Sequence, residues 1–211
     1  MLKYSAFAPL GRSMSYMLRE EAFHMGTGNT GLARIAEGGV VPGWLMQKYL
    51  NKWISSSYDL FGTDHSSSAH WAYVWGLKGR YDEPKNEMAP ELDNLNDYNR
   101  HLYRDECATL VKRISAAQKP GSTELYCPDI KFNRNIGRWK EQLFHPQTGE
   151  PMEEKEYRGQ FESTWMPTAS DKKLLMDIIG AEKKWIAPRT GAKDPLLTIG
   201  EVRKNALNAV V

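Results

Sequence analysis

Glu21 and His24, within Met17-Leu-Arg-Glu-Glu-Ala-Phe-His-Met25, are the residues whose types and spacing could do chemistry. A Glu-x-x-His on a helix is the half-site used by di-iron carboxylate proteins. The spacing puts the carboxylate and the imidazole one turn apart on one face, where both can reach a single metal. One oxygen and one nitrogen donor suit iron or manganese better than calcium or a thiolate-bound metal. Leu10, Met14, Met17, Glu21, His24, Gly28 and Ile35 fall on one stripe, so the polar pair occupies the face expected to turn inward. A carboxylate there is costly unless it is protonated, paired or metal-bound. The tetrapeptide alone favours a satisfied core histidine beside a surface glutamate, and the stripe puts the metal reading on equal terms.

Two residues further on, Gly26-Thr-Gly28-Asn-Thr-Gly31 spells the dinucleotide fingerprint G-x-G-x-x-G. That motif works only after a buried strand, where the helix N-terminus can meet a pyrophosphate. Here it follows Leu18-Arg-Glu-Glu-Ala-Phe23, which favours helix, so no dinucleotide site is expected. Glycines in this context allow close helix packing or a bend, at about 1 kcal/mol each relative to alanine.

The elements that must carry the pair read as helices. The pattern predicts a first helix over residues 5–36, with Pro9 tolerated in its first turns and Gly38-Gly39 ending it. A second follows Pro42 and runs to Gly62. A third apolar segment covers 66–78, a polar loop covers 82–90, and a further helix covers 91–118 until Lys119-Pro120-Gly121 stops it. The remainder is turn-rich. It should contain little helix before Asp171, then a short helix over 171–179 capped by Thr168 or Ser170. The expected organisation is a helical portion over 1–120 and an irregular extension over 121–211, held on the helical body by Trp139, Trp165 and Trp185.

Composition excludes several classes. With 211 residues the chain can bury a sizeable core, and 28 Lys plus Arg against 26 Asp plus Glu leave a net charge of only +2. Neither nucleic acid nor a membrane surface is implied, and no apolar run could span a bilayer. Cys107 and Cys127 are too few for a disulfide scaffold and not in a Cys-x-x-Cys arrangement, which fits a reducing, cytoplasmic setting. The 7 Trp, 10 Tyr and 9 Met give the chain many large residues for lining a buried site.

Met17-Leu-Arg-Glu-Glu-Ala-Phe-His-Met-Gly-Thr-Gly28, Tyr58-Asp-Leu-Phe-Gly62, Gly76-Leu-Lys-Gly-Arg-Tyr81 and Arg104-Asp-Glu-Cys107 together resemble the C-terminal half of the oxygenase component of benzoyl-CoA 2,3-epoxidases. Phe132-Asn-Arg-Asn-Ile-Gly137, Trp165-Met-Pro-Thr168 and Trp185-Ile-Ala-Pro188 extend the resemblance over nearly the whole chain. The broader relatives include the catalytic subunit of phenylacetyl-CoA epoxidase. The resemblance implies a mostly α, partial ferritin-like helical bundle with an irregular C-terminal extension. It implies a di-iron centre that activates dioxygen and epoxidises the ring of an aromatic CoA thioester in aerobic aromatic catabolism. Electrons would come from a flavin and iron–sulfur reductase using NADPH. In family terms Glu21 is a carboxylate ligand and His24 a terminal ligand of one iron, while Glu20 matches a neighbour in the motif.

The chain departs from that pattern in its ligand count. A complete site takes a Glu from each of two helices and a Glu-x-x-His from each of two others, and only one such motif is present. Glu141 and His145 have a spacing of four and are followed by Pro146, and Asp97 with His101 reads as a solvated helix face. The missing ligands would come from an N-terminal half absent here or from another chain. The pair should then point the same way, into the body or into an exposed groove. The sequence accordingly reads as the C-terminal part of a di-iron monooxygenase, inactive alone. The alternative is a metal-free structural or interaction subunit derived from that fold. A third reading, a helical ligand-binding module, rests on Trp71, Tyr73, Trp75 and Tyr81, a kind of cluster that is more often core. Lys78, Arg80 and Arg104 are candidates for CoA phosphates by charge only.

Overall fold

The computed structural model describes residues 2–63, 66–78 and 95–188, without the side chain of Tyr73. The expected loop at 82–90, the start of the helix at 91–94, Arg80, Tyr81 and the end of the extension lie outside the described residues. What is described is mostly helical, with no strand. The six helices are α1 (Ala8–Gly38), α2 (Gly43–Tyr58), α3 (Ser67–Val74), α4 (Leu95–Ala116), α5 (Glu154–Gln160) and α6 (Ala169–Ala181).

Local chemistry accounts for the boundaries. Pro9 sits in the first turn of α1, where its missing N–H costs nothing. Gly39 ends that helix at φ 65°, a left-handed conformation that suits glycine, and its N–H donates to the Ile35 carbonyl at 3.3 Å. Pro42 precedes α2, which tightens into a 3-10 turn over Asp59–Phe61 and stops at Gly62. Helix α6 opens on a reciprocal cap in which Thr168 and Asp171 each satisfy the other's backbone N–H.

The extension differs from the expectation of little helix before Asp171. Helix α5 is continuous with a π-helical turn over Phe161–Trp165. Its cause is a four-residue repeat of Tyr157, Phe161 and Trp165, which turns three aromatic rings to one side. They pack around Phe132, which is fully buried, with Phe132 to Trp165 centroids 6.1 Å apart and edge-on. Glu154 and Arg158, bonded at 2.7 Å, support the helix from outside.

Two apolar clusters result. The larger gathers Ala36, Leu45, Ile54 and Tyr58 with Val111 and Ile114, and the extension adds Leu125 and Ile130 to it. The smaller is Phe132, Tyr157 and Trp165, with Leu143 and Met166 against it. So the extension both packs on the helical body and carries a small aromatic core of its own. Of its expected anchors Trp165 is buried, whereas Trp139 and Trp185 are only half-buried.

Polar side chains of α2 stitch the extension to the body. Gln47 exchanges hydrogen bonds with the backbone of Tyr126, at 3.0 and 2.8 Å. Asn51 donates to the Trp165 carbonyl at 3.1 Å and Tyr58 to the Pro128 carbonyl at 2.7 Å. Arg134 meets Asp59 at 2.5 Å, and Lys48 meets Asp171 at 2.8 Å. Gln47, Lys48, Asn51 and Tyr58 are buried, so each of their bonds also avoids an unsatisfied polar group, at roughly 1–3 kcal/mol apiece.

Candidate functional site

Glu21 and His24 lie on one face of the continuous helix α1, with Glu21 Oε2 3.7 Å from His24 Nδ1. They face outward. Their side chains are 63% and 64% exposed, and every residue from 16 to 28 is exposed. The inward orientation expected from the stripe is therefore not seen within this chain. The stripe itself is intact: three turns beyond Glu21 and His24, Leu32 and Ile35 pack against the main core. The same side of one helix is covered at its C-terminal end and bare around the polar pair.

The bare stretch is not an ordinary solvated surface. Tyr16, Met17, Leu18, Phe23 and Met25 are all more than half exposed. At 100° per residue, Tyr16 and Phe23 project from a different side than Met17 and His24, so the segment is apolar on more than one side. Helices with apolar residues all round are normally buried.

The chemistry of the pair can be tested against a metal. Two donors about 2.1 Å from a shared ion stand roughly 3.0–3.4 Å apart at octahedral to tetrahedral angles, so 3.7 Å needs only a small side-chain adjustment. The donors fit one corner of a carboxylate–histidine site. They do not make a di-iron centre, and among the described residues no group of three or more His, Cys, Asp or Glu side chains could hold a metal ion. Nor is His24 bonded, among those residues, to an orienting partner other than Glu21. Glu20 is exposed.

The other sequence candidates have structural roles. Asp97 is engaged by Arg100 at 2.7 Å and lies 3.8 Å from His101 and 3.7 Å from Arg138, an ion-pair group between α4 and the extension. His145 Nδ1 accepts from the N–H groups of Gln147 and Thr148, both at 3.2 Å, so it closes a turn. Arg104 pairs with Asp105 at 3.0 Å. Trp71 and Trp75 stack loosely on each other, 5.6 Å apart, and are exposed, contrary to the expectation that they are core. Helix α3 buries Ala69 instead.

A feature that motif reading missed is a half-open apolar pocket of about 390 Å³ between the last turns of α1 and α4, residues 45–54 of α2, α6 and Trp185. Leu45, Met46, Ile54, Val111 and Ile114 form its floor, and Trp53, Leu50 and Asn29 stand at its margin. The only sequence signal for it is the helical spacing of those apolar residues, which equally describes a filled core. Nearby, Cys127 Sγ lies 3.6 Å from Tyr58 Oη. Burial pushes the Cys127 thiol up to about 11 and the Tyr103 phenol up to about 12, and it raises Tyr58 and Cys107 as well. This cluster is neutral and serves packing.

No protein-family model matches the sequence. The chain is similar to benzoyl-CoA oxygenase component B of Aromatoleum evansii, with 28% identity over 255 aligned residues that take in 97% of this chain and 54% of that protein. The relation is distant but extends along essentially all of the chain, which spans about half the length of this relative. Among the described residues no helix is long and apolar enough to cross a membrane.

Proposed function

We propose that this chain is one part of an oxygenase acting on the ring of an aromatic CoA thioester, and that Glu21 and His24 are its contribution to a di-iron centre. The observation that carries the reading is the placement of the pair. Both donors leave one face of a long helix, they are not drawn into the chain's own core, and apolar side chains surround them. The similarity to a benzoyl-CoA oxygenase component supports the reaction class.

In this reading residues 1–120 form the helical portion of a ferritin-like bundle and residues 121–211 the extension that braces it. The remaining carboxylates and the second Glu-x-x-His come from an N-terminal half or another chain that covers α1. A flavin and iron–sulfur reductase supplies electrons, in the cytoplasm. Iron, once complete with those ligands, would supply dioxygen activation. The residues of this chain hold one corner of the site through Glu21 and His24, which leave one face of the continuous helix α1.

A second reading is a metal-free interaction subunit, favoured by the lack of a third ligand near the pair among the described residues. The two separate in one assay. The chain is mixed with a polypeptide matching the part of the Aromatoleum evansii relative outside the aligned span, ferrous iron, dioxygen, a reductase and benzoyl-CoA. Oxygen-dependent product that is lost in His24→Ala supports the oxygenase reading. A stable complex that forms without iron and yields no product supports the other.

A further inference from the structure

The polar pair, two open glycines and the apolar pocket share one side of α1. At 3.6 residues per turn Glu21, His24, Gly28, Gly31, Leu32 and Ile35 stay within about 100° of one another, and Leu32 and Ile35 line the pocket. The glycines stand between the pair and the pocket. A Cβ added at Gly28 or Gly31 would meet nothing within 4 Å, so no contact among the described residues accounts for a glycine there. Inside a helix each is destabilising relative to alanine. What glycine permits at such a place is the close approach of another backbone.

The pocket is half-open, and exposed apolar side chains stand in its lining: Trp53 of α2 is 63% exposed and Ile179 of α6 is 37% exposed. Such a surface suits apolar side chains pressed in from outside and not a charged group, which would lose its hydration without finding a partner. From His24 to Ile35 is roughly 16 Å along the helix axis. A helix laid on α1 at the roughly 20° of a bundle drifts sideways by about 6 Å over that length. That is less than its own diameter of about 10–12 Å, so one helix covers the pair and the pocket mouth together. At about 50°, the other common crossing, the drift is about 19 Å and one of the two stays bare.

We propose that this side of α1 and the half-open pocket are one docking groove, seated by a single helix of a polypeptide that corresponds to the part of the Aromatoleum evansii relative outside the aligned span. The helix lies lengthwise on α1, its backbone comes closest at Gly28 and Gly31, and apolar side chains near one end enter between Leu32, Ile35, Leu50 and Trp53. In taking that polypeptide as the partner, this docking mode rests on the proposed function. Two observations select the occupant. The aligned span takes in 54% of the relative, so a comparable length of polypeptide is left to cover an apolar face. The groove is also continuous, along one stripe of α1, with the bare stretch around Glu21 and His24.

The test measures binding of that polypeptide to the full chain by calorimetry in iron-free buffer, beside the urea midpoint of the chain alone. Gly28→Leu and Gly31→Leu should weaken binding at least tenfold while the midpoint of the isolated chain holds or rises, because leucine is the better helix former where nothing obstructs it. Trp53→Ser and Ile179→Lys, at the pocket mouth, should each weaken binding at least fivefold, and Trp71→Ser on α3 should leave it within twofold. Four positions on three helices keep one misfolded variant from deciding the outcome. No binding by the wild-type chain, undiminished binding by both glycine variants or by both pocket variants, or an equal loss with Trp71→Ser overturns the proposal. So does a dimer of this chain, seen by light scattering, that the polypeptide does not displace, since a second copy then fills the groove. A complex that shows all the expected losses but takes up no iron keeps the groove and sinks the di-iron reading. One that takes up iron and ignores the variants does the reverse.

Discussion

Helices α1 and α2 are both long and both mix apolar with polar residues, yet their fates in the fold differ. Helix α2 buries nine of its residues, among them Gln47, Lys48, Asn51 and Tyr58, and the chain provides a partner for each of these four. Helix α1 buries one, Ala36. Among the described residues its polar pair has only itself, and its large apolar side chains meet solvent. Burial of polar groups is tolerated where partners are built in, so α2 belongs to a completed interior. The mid-section of α1 has the composition of an interior, yet residues 16–28 are exposed. On the proposed function, the difference separates residues that hold the fold from residues that meet a partner.

That contrast can be broken by substitution. The largest effect is expected on the α2 side. Trp165→Ala removes the ring that Phe132, Tyr157 and His145 surround and disturbs the carbonyl that Asn51 reaches, at about 3–5 kcal/mol. Urea denaturation measures the loss, and proteolysis should increase first within residues 121–188. Unchanged cleavage there would mean that the aromatic cluster does not anchor the extension.

Asp171→Ala comes next. It leaves Lys48 buried without its carboxylate and deletes the cap of α6, for about 3 kcal/mol. Its pH dependence has a definite sign. Burial opposes ionisation of Asp171, but hydrogen bonds from Lys48 and from the Thr168 backbone and hydroxyl outweigh it and hold the carboxyl below its ordinary 3.8. A carboxylate lowered on folding contributes its stability above the unfolded pKa and loses it as pH falls through the folded value. The gap between wild type and Asp171→Ala should therefore be constant from neutrality to about pH 4 and close below it. A gap that closes between pH 7 and 5 would contradict the assignment.

The smallest effects belong to α1. Glu21→Ala, His24→Ala and Phe23→Ala should each change the stability of the isolated chain by less than about 0.5 kcal/mol, because exposed side chains contribute little. In a complex with a partner covering α1, Phe23→Ala should weaken binding at least several-fold. Equal binding by the variant would show that the exposed apolar face is not an interface.

Much of the fold was legible because its signals are local. Pro9, Gly39, Pro42, Gly62 and Thr168 act within a turn of where they stand, and the helix limits they imply match the structure closely. Helix α5 escaped because Trp165 enters the sequence reading only as a lone anchor beside Trp139 and Trp185, and its helical repeat with Tyr157 and Phe161 has meaning only once Phe132 is brought against it. The shared face of Glu21 and His24 was legible from spacing alone. Their exposure was not, since a stripe states which side of a helix seeks cover and says nothing about which polypeptide provides it. The pocket was illegible for the related reason that apolar spacing does not record whether the space between helices is filled.

The most direct measurement is the iron content of the purified chain, alone and with a polypeptide matching the rest of the Aromatoleum evansii relative, for wild type and for Glu21→Ala with His24→Ala. The account predicts no stoichiometric iron in the isolated chain, about two irons per complex, and loss of iron from the complex carrying the double variant. Two irons bound by the isolated chain, or a complex that keeps its iron without Glu21 and His24, would contradict it.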